Sequence, residues 1–292
     1  MGRSGTPELS GKLTKLELDN CFFKPPLEFE GFLNLEELLQ KDIDFGASLC
    51  GTKVNLPQLK KLSLLVCTNV CNFNIKATKL QNLSAYACPG AMSLRLLDSP
   101  CLSVAIIAFE KPIEDFVRVG KMNFATMLSN LSRVQYFYID RHFLKIPKLL
   151  PRAISSLRCL WLMDFQVGDV DLLHAALCLL RNSPNLEELS AMHPEMEPRI
   201  DVGPASNHLV SPNCLDCTLN RLQTVNIKCF EGSKPELLFI KLLLAHSPSL
   251  DKLNITPSEK TDAQKRFDIA KDVIQFPGAS PKEKMFYLIP KT

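Results

Sequence analysis

The side chains able to do chemistry in this 292-residue chain are few and widely spread. Eleven cysteines run from Cys21 to Cys229, and Cys214-x-x-Cys217 is the pair with metal-ligand spacing. A structural zinc site needs four ligands. The nearest further candidates, Cys229 and His208, sit at no ligand spacing, so no metal is expected and the thiols read as packing or loop residues. The five histidines, His142, His174, His193, His208 and His246, occur singly. They form no H-E-x-x-H and accompany no nucleophile motif. His174 falls within an apolar helical pattern and His246 at a helix end, where a positive group complements the dipole. The 12 glycines build neither G-x-G-x-x-G nor G-K-[ST], so no phosphate cradle is present. The expectation is a chain with no catalytic, metal or cofactor-binding residues, and not an enzyme.

Charge and hydropathy narrow the partners. A net charge of +3, with no run of five basic residues, is too small for a nucleic-acid footprint. The densest apolar run, Leu237 to Ala245, is interrupted by Lys241 and is far shorter than a membrane span. Residues 1–11 are polar and Gly/Ser-rich, without the apolar core of a signal peptide, and are expected to be disordered. Reduced thiols in the cytoplasm or nucleus follow from that reading. Neither membrane nor nucleic acid is expected as a partner.

The residues that remain must be positioned by a repeat. Leu13, Leu16, Leu18 and Cys21 spell L-x-x-L-x-L-x-x-C. Leu59, Leu62, Leu64 and Cys67 repeat the spacing, as do Leu80, Leu83, Ala85 and Cys88. Looser copies begin at Leu102, Val134, Leu157, Leu186, Leu222 and Leu250, and a degenerate copy at Leu35 has Gln40 in its third apolar slot. The starts Leu13, Leu35, Leu59, Leu80 and Leu102 lie 22, 24, 21 and 22 residues apart. That is the leucine-rich-repeat range of about 20 to 29. The later starts, Val134, Leu157, Leu186, Leu222 and Leu250, follow intervals of 32, 23, 29, 36 and 28 residues, several of which must hold insertions.

Slots 4 and 6 of each unit are two residues apart, so they point to one face of a short strand. Slot 9, a Cys in three units, lies beneath the turn that leaves it. No unit can bury its apolar face alone, so the units must stack. Between the strands, Met122–Leu131, Val170–Leu180 (with Asp169 as a cap) and Glu236–His246 (opened by Pro235) have helical spacing. Asn182-Ser183-Pro184-Asn185-Leu186 and His246-Ser247-Pro248-Ser249-Leu250 are matching turns in which proline stops a helix and leucine opens the next unit. The expected fold is an α/β leucine-rich-repeat solenoid, a horseshoe with parallel strands on the concave face and helices on the convex face. Residues 12–193 form the solenoid, 194–213 a Pro/Gly/Ser-rich loop, and 214–292 a C-terminal segment that continues it.

Slots 3, 5 and 7 then point outward and line the concave face. Early units place charges there, among them Lys15, Glu17, Asp19, Glu37 and Lys41; late units place polar residues such as Thr224, Asn226, Lys228 and Asn254. Between them lie Leu65, Tyr86, Ile106, Tyr136, Tyr138, Trp161 and Met163. An apolar, aromatic centre with a charged rim is the anatomy of a protein-binding surface, and these seven residues are its candidates.

Several phrases resemble the plant F-box/FBD/leucine-rich-repeat family. Leu13 to Leu35, L-T-K-L-E-L-D-N-C-F-F-K-P-P-L-E-F-E-G-F-L-N-L, resembles its repeat opening. L-Q-T-V-N-I-K-C-F-E-G followed by E-L-L-F-I-K-L-L-L-A-H-S-P-S-L-D-K-L-N-I, Leu222 to Ile255, resembles its FBD segment, and F-P-G-A-S-P-K, Phe276 to Lys282, its close. The resemblance implies a non-enzymatic module that recognises a target protein for a ubiquitin ligase, with the target on the concave face. The family's F-box docks on a Skp-type adaptor of a cullin ligase and ends near Ser-Arg-x-Trp. No such phrase precedes Leu13, and the chain's one tryptophan is Trp161. Adaptor and cullin are therefore not expected partners of these residues. The alternative is a shortened paralogue that serves as a structural remnant or competes with full-length relatives.

Overall fold

A computed structural model describes residues 13–21, 28–29, 32–45, 53–70, 74–88, 95–97, 99–109, 132–145, 154–194, 201–212, 214–282 and 284–288. The chain forms two compact units, Met1–Val134 and Gln135–Thr292. The expected helix at 122–131 and the N-terminal residues 1–11 lie outside the described residues.

In the first unit the repeat strands are β1 (Lys15–Asp19), β3 (Glu37–Lys41), β5 (Lys61–Leu65), β7 (Asn82–Tyr86) and β9 (Val104–Ala108). They pair in parallel in that order and in exact repeat register, with Leu16 beside Leu38, Leu62, Leu83 and Ala105 in turn. On the return side run β2 (Glu28–Phe29), β4 (Lys53–Asn55), β6 (Asn74–Lys76) and β8 (Arg95–Leu97), a second parallel sheet. Here the described return segments are strands, where the solenoid reading placed helices. Intervals of 21 to 24 residues explain the difference. An extended residue advances about 3.3 Å and a helical one 1.5 Å, so a short interval closes the circuit with strand.

The second unit carries helices and, after one interval of 23 residues, has longer intervals of 29, 36 and 28. Its strands are β10 (Tyr136–Asp140), β11 (Cys159–Met163), β12 (Glu188–Met192), β13 (Thr224–Phe230), β14 (Lys252–Pro257) and β15 (Lys284–Tyr287), again parallel and in sequence order. Its helices are α1 (Arg141–Leu144), α2 (Val170–Arg181), α3 (Gly203–Leu209), α4 (Lys234–His246) and α5 (Ala263–Ile274). Asp169 caps α2 by accepting from the N–H of Asp171 and Leu172 at 3.0 and 3.2 Å. Burial would raise its pKa, but Lys145, 2.9 Å away, and these two N–H groups hold it below the usual carboxylate value. At α4 the buried Glu236 carboxylate accepts from both the N–H and the hydroxyl of Ser233, closing a capping box.

The stretch 194–213 is not wholly loop, because Gly203–Leu209 is helical. Pro204 stands in its first turn, where a missing N–H costs nothing, and Ala205 and Leu209 are buried. The two Ser-Pro turns take one form: Leu186 N–H donates to Ser183 O at 3.1 Å and Leu250 N–H to Ser247 O at 3.2 Å.

The core follows the repeat. In every unit after the first, slot 1 is buried, and slots 4 and 6 are buried from β3 to β14. Helix and strand share this core: Phe239 of α4 packs on Phe165, the ring centres 5.8 Å apart. Slot 8 carries a further signature. Asn20, Asp42, Val66, Ala87, Asp164 and Cys229 all stand there with φ between 45° and 57°, the left-handed turn that ends the strand. Beneath it, the Cys67 and Cys88 thiols donate to the carbonyls of Leu65 and Tyr86 at 3.4 and 3.2 Å, two residues back. Cys88 Sγ in turn accepts the Cys67 N–H at 3.2 Å. Slot 9 is therefore a small buried group that satisfies the turn's backbone. Its hydrogen bond with Cys67 and its burial both hold the Cys88 thiol protonated.

Candidate functional site

The outward slots differ between the units. In the first unit, β1, β3 and the start of β5 carry charges there, several of which pair across strands. Glu37 accepts Lys61 at 3.1 Å and lies 3.7 Å from Lys15, while Asp19 pairs with Lys41 at 2.9 Å. The Lys61 hydrogen bond holds Glu37 below the usual carboxylate pKa, and Asp19 holds Lys41 above the usual amine value. Of the candidates in this unit, Leu65 stands beside Tyr86 in register, and Ile106 beside Ser84. Tyr86 is exposed, whereas Leu65 and Ile106 are half-buried.

In the second unit Tyr136, Tyr138, Trp161 and Met163 are outward on adjacent strands, with Tyr138 beside Trp161 and Asp140 beside Met163. The rings of Tyr138 and Trp161 lie 5.3 Å apart and tilted. Tyr136 is 42% exposed, and the other three are half-buried. The slot-5 row continues from Trp161 through Ser190, Asn226 and Asn254 to Phe286. Asn254 donates to Asn226 at 2.8 Å, and Asn226 donates to Glu188 at 2.9 Å and Ser190 at 3.0 Å. Such a ladder fixes its side chains before any partner arrives. Lys228, at slot 7 of β13, reaches back so that its ammonium lies 4.8 Å from the Trp161 ring centre. Burial raises the pKa of Tyr138 and pushes the Cys159 thiol up to about 12, so both stay protonated at neutral pH.

The repeat reading identified these aromatic residues but not Lys228 as their neighbour. The usable signal was its slot, which points it to the same face from two strands away.

The side chains with metal-type spacing are placed differently. Arg181 pins the Cys214–Cys217 turn, pairing with Asp216 at 2.9 Å and donating to Cys214 O at 2.7 Å. Burial raises the pKa of both thiols. His208 stacks edge-on against His174, ring centres 4.2 Å apart. Among the described residues, no three His, Cys, Asp or Glu side chains gather as a metal set, and no helix is long and apolar enough to cross a membrane.

The segment holding the Cys214 turn, β13, α4, the Ser-Pro turn and most of β14 matches the FBD family over residues 213–255. Across its length the chain is 27% identical over 288 residues to an F-box/FBD/LRR-repeat protein of Arabidopsis thaliana, covering 95% of this chain and 68% of that protein. The chain is similar over most of its length to plant F-box/FBD/leucine-rich-repeat proteins. An F-box/LRR-repeat protein of Arabidopsis thaliana is 24% identical over 275 residues, covering 87% of this chain and 62% of its own length. An FBD-associated F-box protein of the same plant is 24% identical over 290 residues, with 89% and 65% covered. The chain thus spans about two thirds of the length of these F-box-named relatives.

Proposed function

We propose that the chain is a non-enzymatic protein-binding module that recognises a target for a ubiquitin ligase, the target resting on the outward strand face. One observation carries this reading. Tyr138, Trp161 and Lys228 form a packed, half-exposed cluster on the second unit's sheet, braced on one side by the Ser190–Asn226–Asn254 ladder. Rigid aromatic groups with a polar surround are what anchor protein interfaces. On this reading Leu65, Tyr86 and Ile106 are secondary candidates, and Met163 and Tyr136 border the centre. Docking to a Skp-type adaptor belongs to an F-box and not to the repeat strands, so the adaptor is not expected on this surface. A cytoplasmic or nuclear setting accompanies the reading.

The test is site-specific photo-crosslinking in plant extract, with a benzophenone side chain at position 161 and a control at exposed Lys241 on α4. A single reproducible adduct protein at 161 is expected, absent at 241 and lost when Tyr138→Ala and Lys228→Ala are added. Equal labelling from both positions would overturn the assignment of this face.

A further inference from the structure

The second unit's outward face has a charge imbalance that the first unit lacks. In the first unit Lys15, Lys41 and Lys61 are all paired with acids on neighbouring strands. In the second unit the outward slots hold Lys228, Lys252 and Lys284, all exposed. None has an ion-pair partner among the described residues. Two acids share those slots with the three lysines, and both accept hydrogen bonds from neutral groups. Asp140 is buried and accepts the Phe143 N–H at 2.9 Å, and Glu188 accepts from Asn226 and Ser190. Lys252 and Lys284 stand side by side on β14 and β15, at one end of the strands. Lys228 stands at the other end of β13, four residues beyond Thr224 and so about 13 Å along the strand. The slot-5 row of Trp161, Ser190, Asn226, Asn254 and Phe286 runs between them.

We infer that this face takes an acidic peptide segment of its partner, laid across the strands, with an apolar side chain against Tyr138 and Trp161 and carboxylates at Lys228, Lys252 and Lys284. The inference rests on the protein-binding reading above and adds the partner's chemistry. Charge complementarity carries it. Three ammonium groups against two carboxylates, none of the three in an ion pair among the described residues, leave this aromatic and amide row with an excess of positive charge, which favours an acidic partner over a basic one in both encounter rate and selectivity. Lys228 contributes twice, because it lies against the ring that seats the apolar side chain and is itself the nearest cation to it.

Trp161 is the chain's one tryptophan, so its emission reports on this face alone. The experiment titrates the full chain with three tryptophan-free peptides of equal length. Each carries a central phenylalanine, flanked by glutamate and aspartate, by glutamine and asparagine, or by lysine. The acidic peptide should give a saturable change in Trp161 emission. Raising salt from about 0.1 M to about 1 M should weaken it, since the Debye length falls from about 10 Å to about 3 Å. Lys228→Glu with Lys252→Glu, both on exposed residues, should weaken it at least about tenfold, with circular dichroism unchanged. Equal binding of the neutral peptide, or preference for the lysine peptide, overturns the acidic assignment and leaves the protein-binding reading standing. Silence of Trp161 toward all three overturns the inference too, and the cross-link from residue 161 then decides whether the face binds protein at all.

Discussion

At the scale of single residues, two positions depart from what their places in the repeat favour. Gln40 occupies slot 6 of β3, beside Leu18 on one strand and Leu64 on the next. It is fully buried, and neither of its amide atoms has a hydrogen-bond partner among the described residues. An unsatisfied buried amide costs about 1–3 kcal/mol. Gln40→Leu restores the repeat's own residue at similar volume and should raise stability by about that amount, read as a higher denaturant midpoint with an unchanged slope. A lower midpoint would mean that the amide has a partner not accounted for. Val66 is the other case. It stands at slot 8 with φ of 54°, where three other units use Asn or Asp. A branched Cβ crowds the carbonyl in the left-handed region, at about 1–2 kcal/mol. Val66 is 47% exposed, so Val66→Asn gives up little burial and should stabilise by about 1 kcal/mol in thermal unfolding.

At the scale of elements, α3 is held by a contact sensitive to protons. His208 lies edge-on to His174 of α2, and its Nε2 is buried without a hydrogen-bond partner among the described residues. Burial, with His174 and Arg181 nearby, lowers the His208 pKa below its ordinary 6.5. The unfolded chain therefore takes up the proton first as pH falls. Stability is full above about 6.5 and declines between that value and the lower folded pKa. Burial shifts His142 in the same direction. Melting temperatures measured from pH 7.5 to pH 5 should fall less steeply in His208→Gln than in the parent, and identical slopes would exclude the contact.

Elements also show how far sequence alone could reach. Strands β3 to β14 were legible because slots 4 and 6 are apolar in nearly every unit and only a buried strand face requires that. Helix α2 was legible from its apolar stripe and Asp169. The return strands β2, β4, β6 and β8 are two or three residues long, too short for a period of two to appear. Helix α3 was hidden because its seven residues make barely two turns and begin Gly-Pro, which reads as loop. The Lys228–Trp161 contact joins residues 67 apart and exists only once the strand register is known.

At the scale of the whole molecule, stability is passed between adjacent units. Leu160 is fully buried at slot 4, in register with Phe137 on one side and Leu189 on the other. Leu160→Ala should cost about 2–5 kcal/mol through lost burial and an unfilled cavity. In a stacked array each unit's inner face is its neighbours' packing partner, so the loss should spread. Native-state hydrogen exchange should show deprotection of β10 and β12 along with β11. Deprotection confined to β11 would count against nearest-neighbour coupling.

The shared carboxylate of Glu37 gives the first unit's strands something like addresses. Ideal repeats are interchangeable, and such arrays grow or shrink by copying a unit. Here Glu37 serves lysines on both flanking strands at slot 3. A tandem copy of its unit would bring two glutamates side by side and leave each with one lysine. Deleting the unit would set Lys15 against Lys61. Either change puts like charges at adjacent register positions, a modest folding penalty that favours the present order and number of these strands.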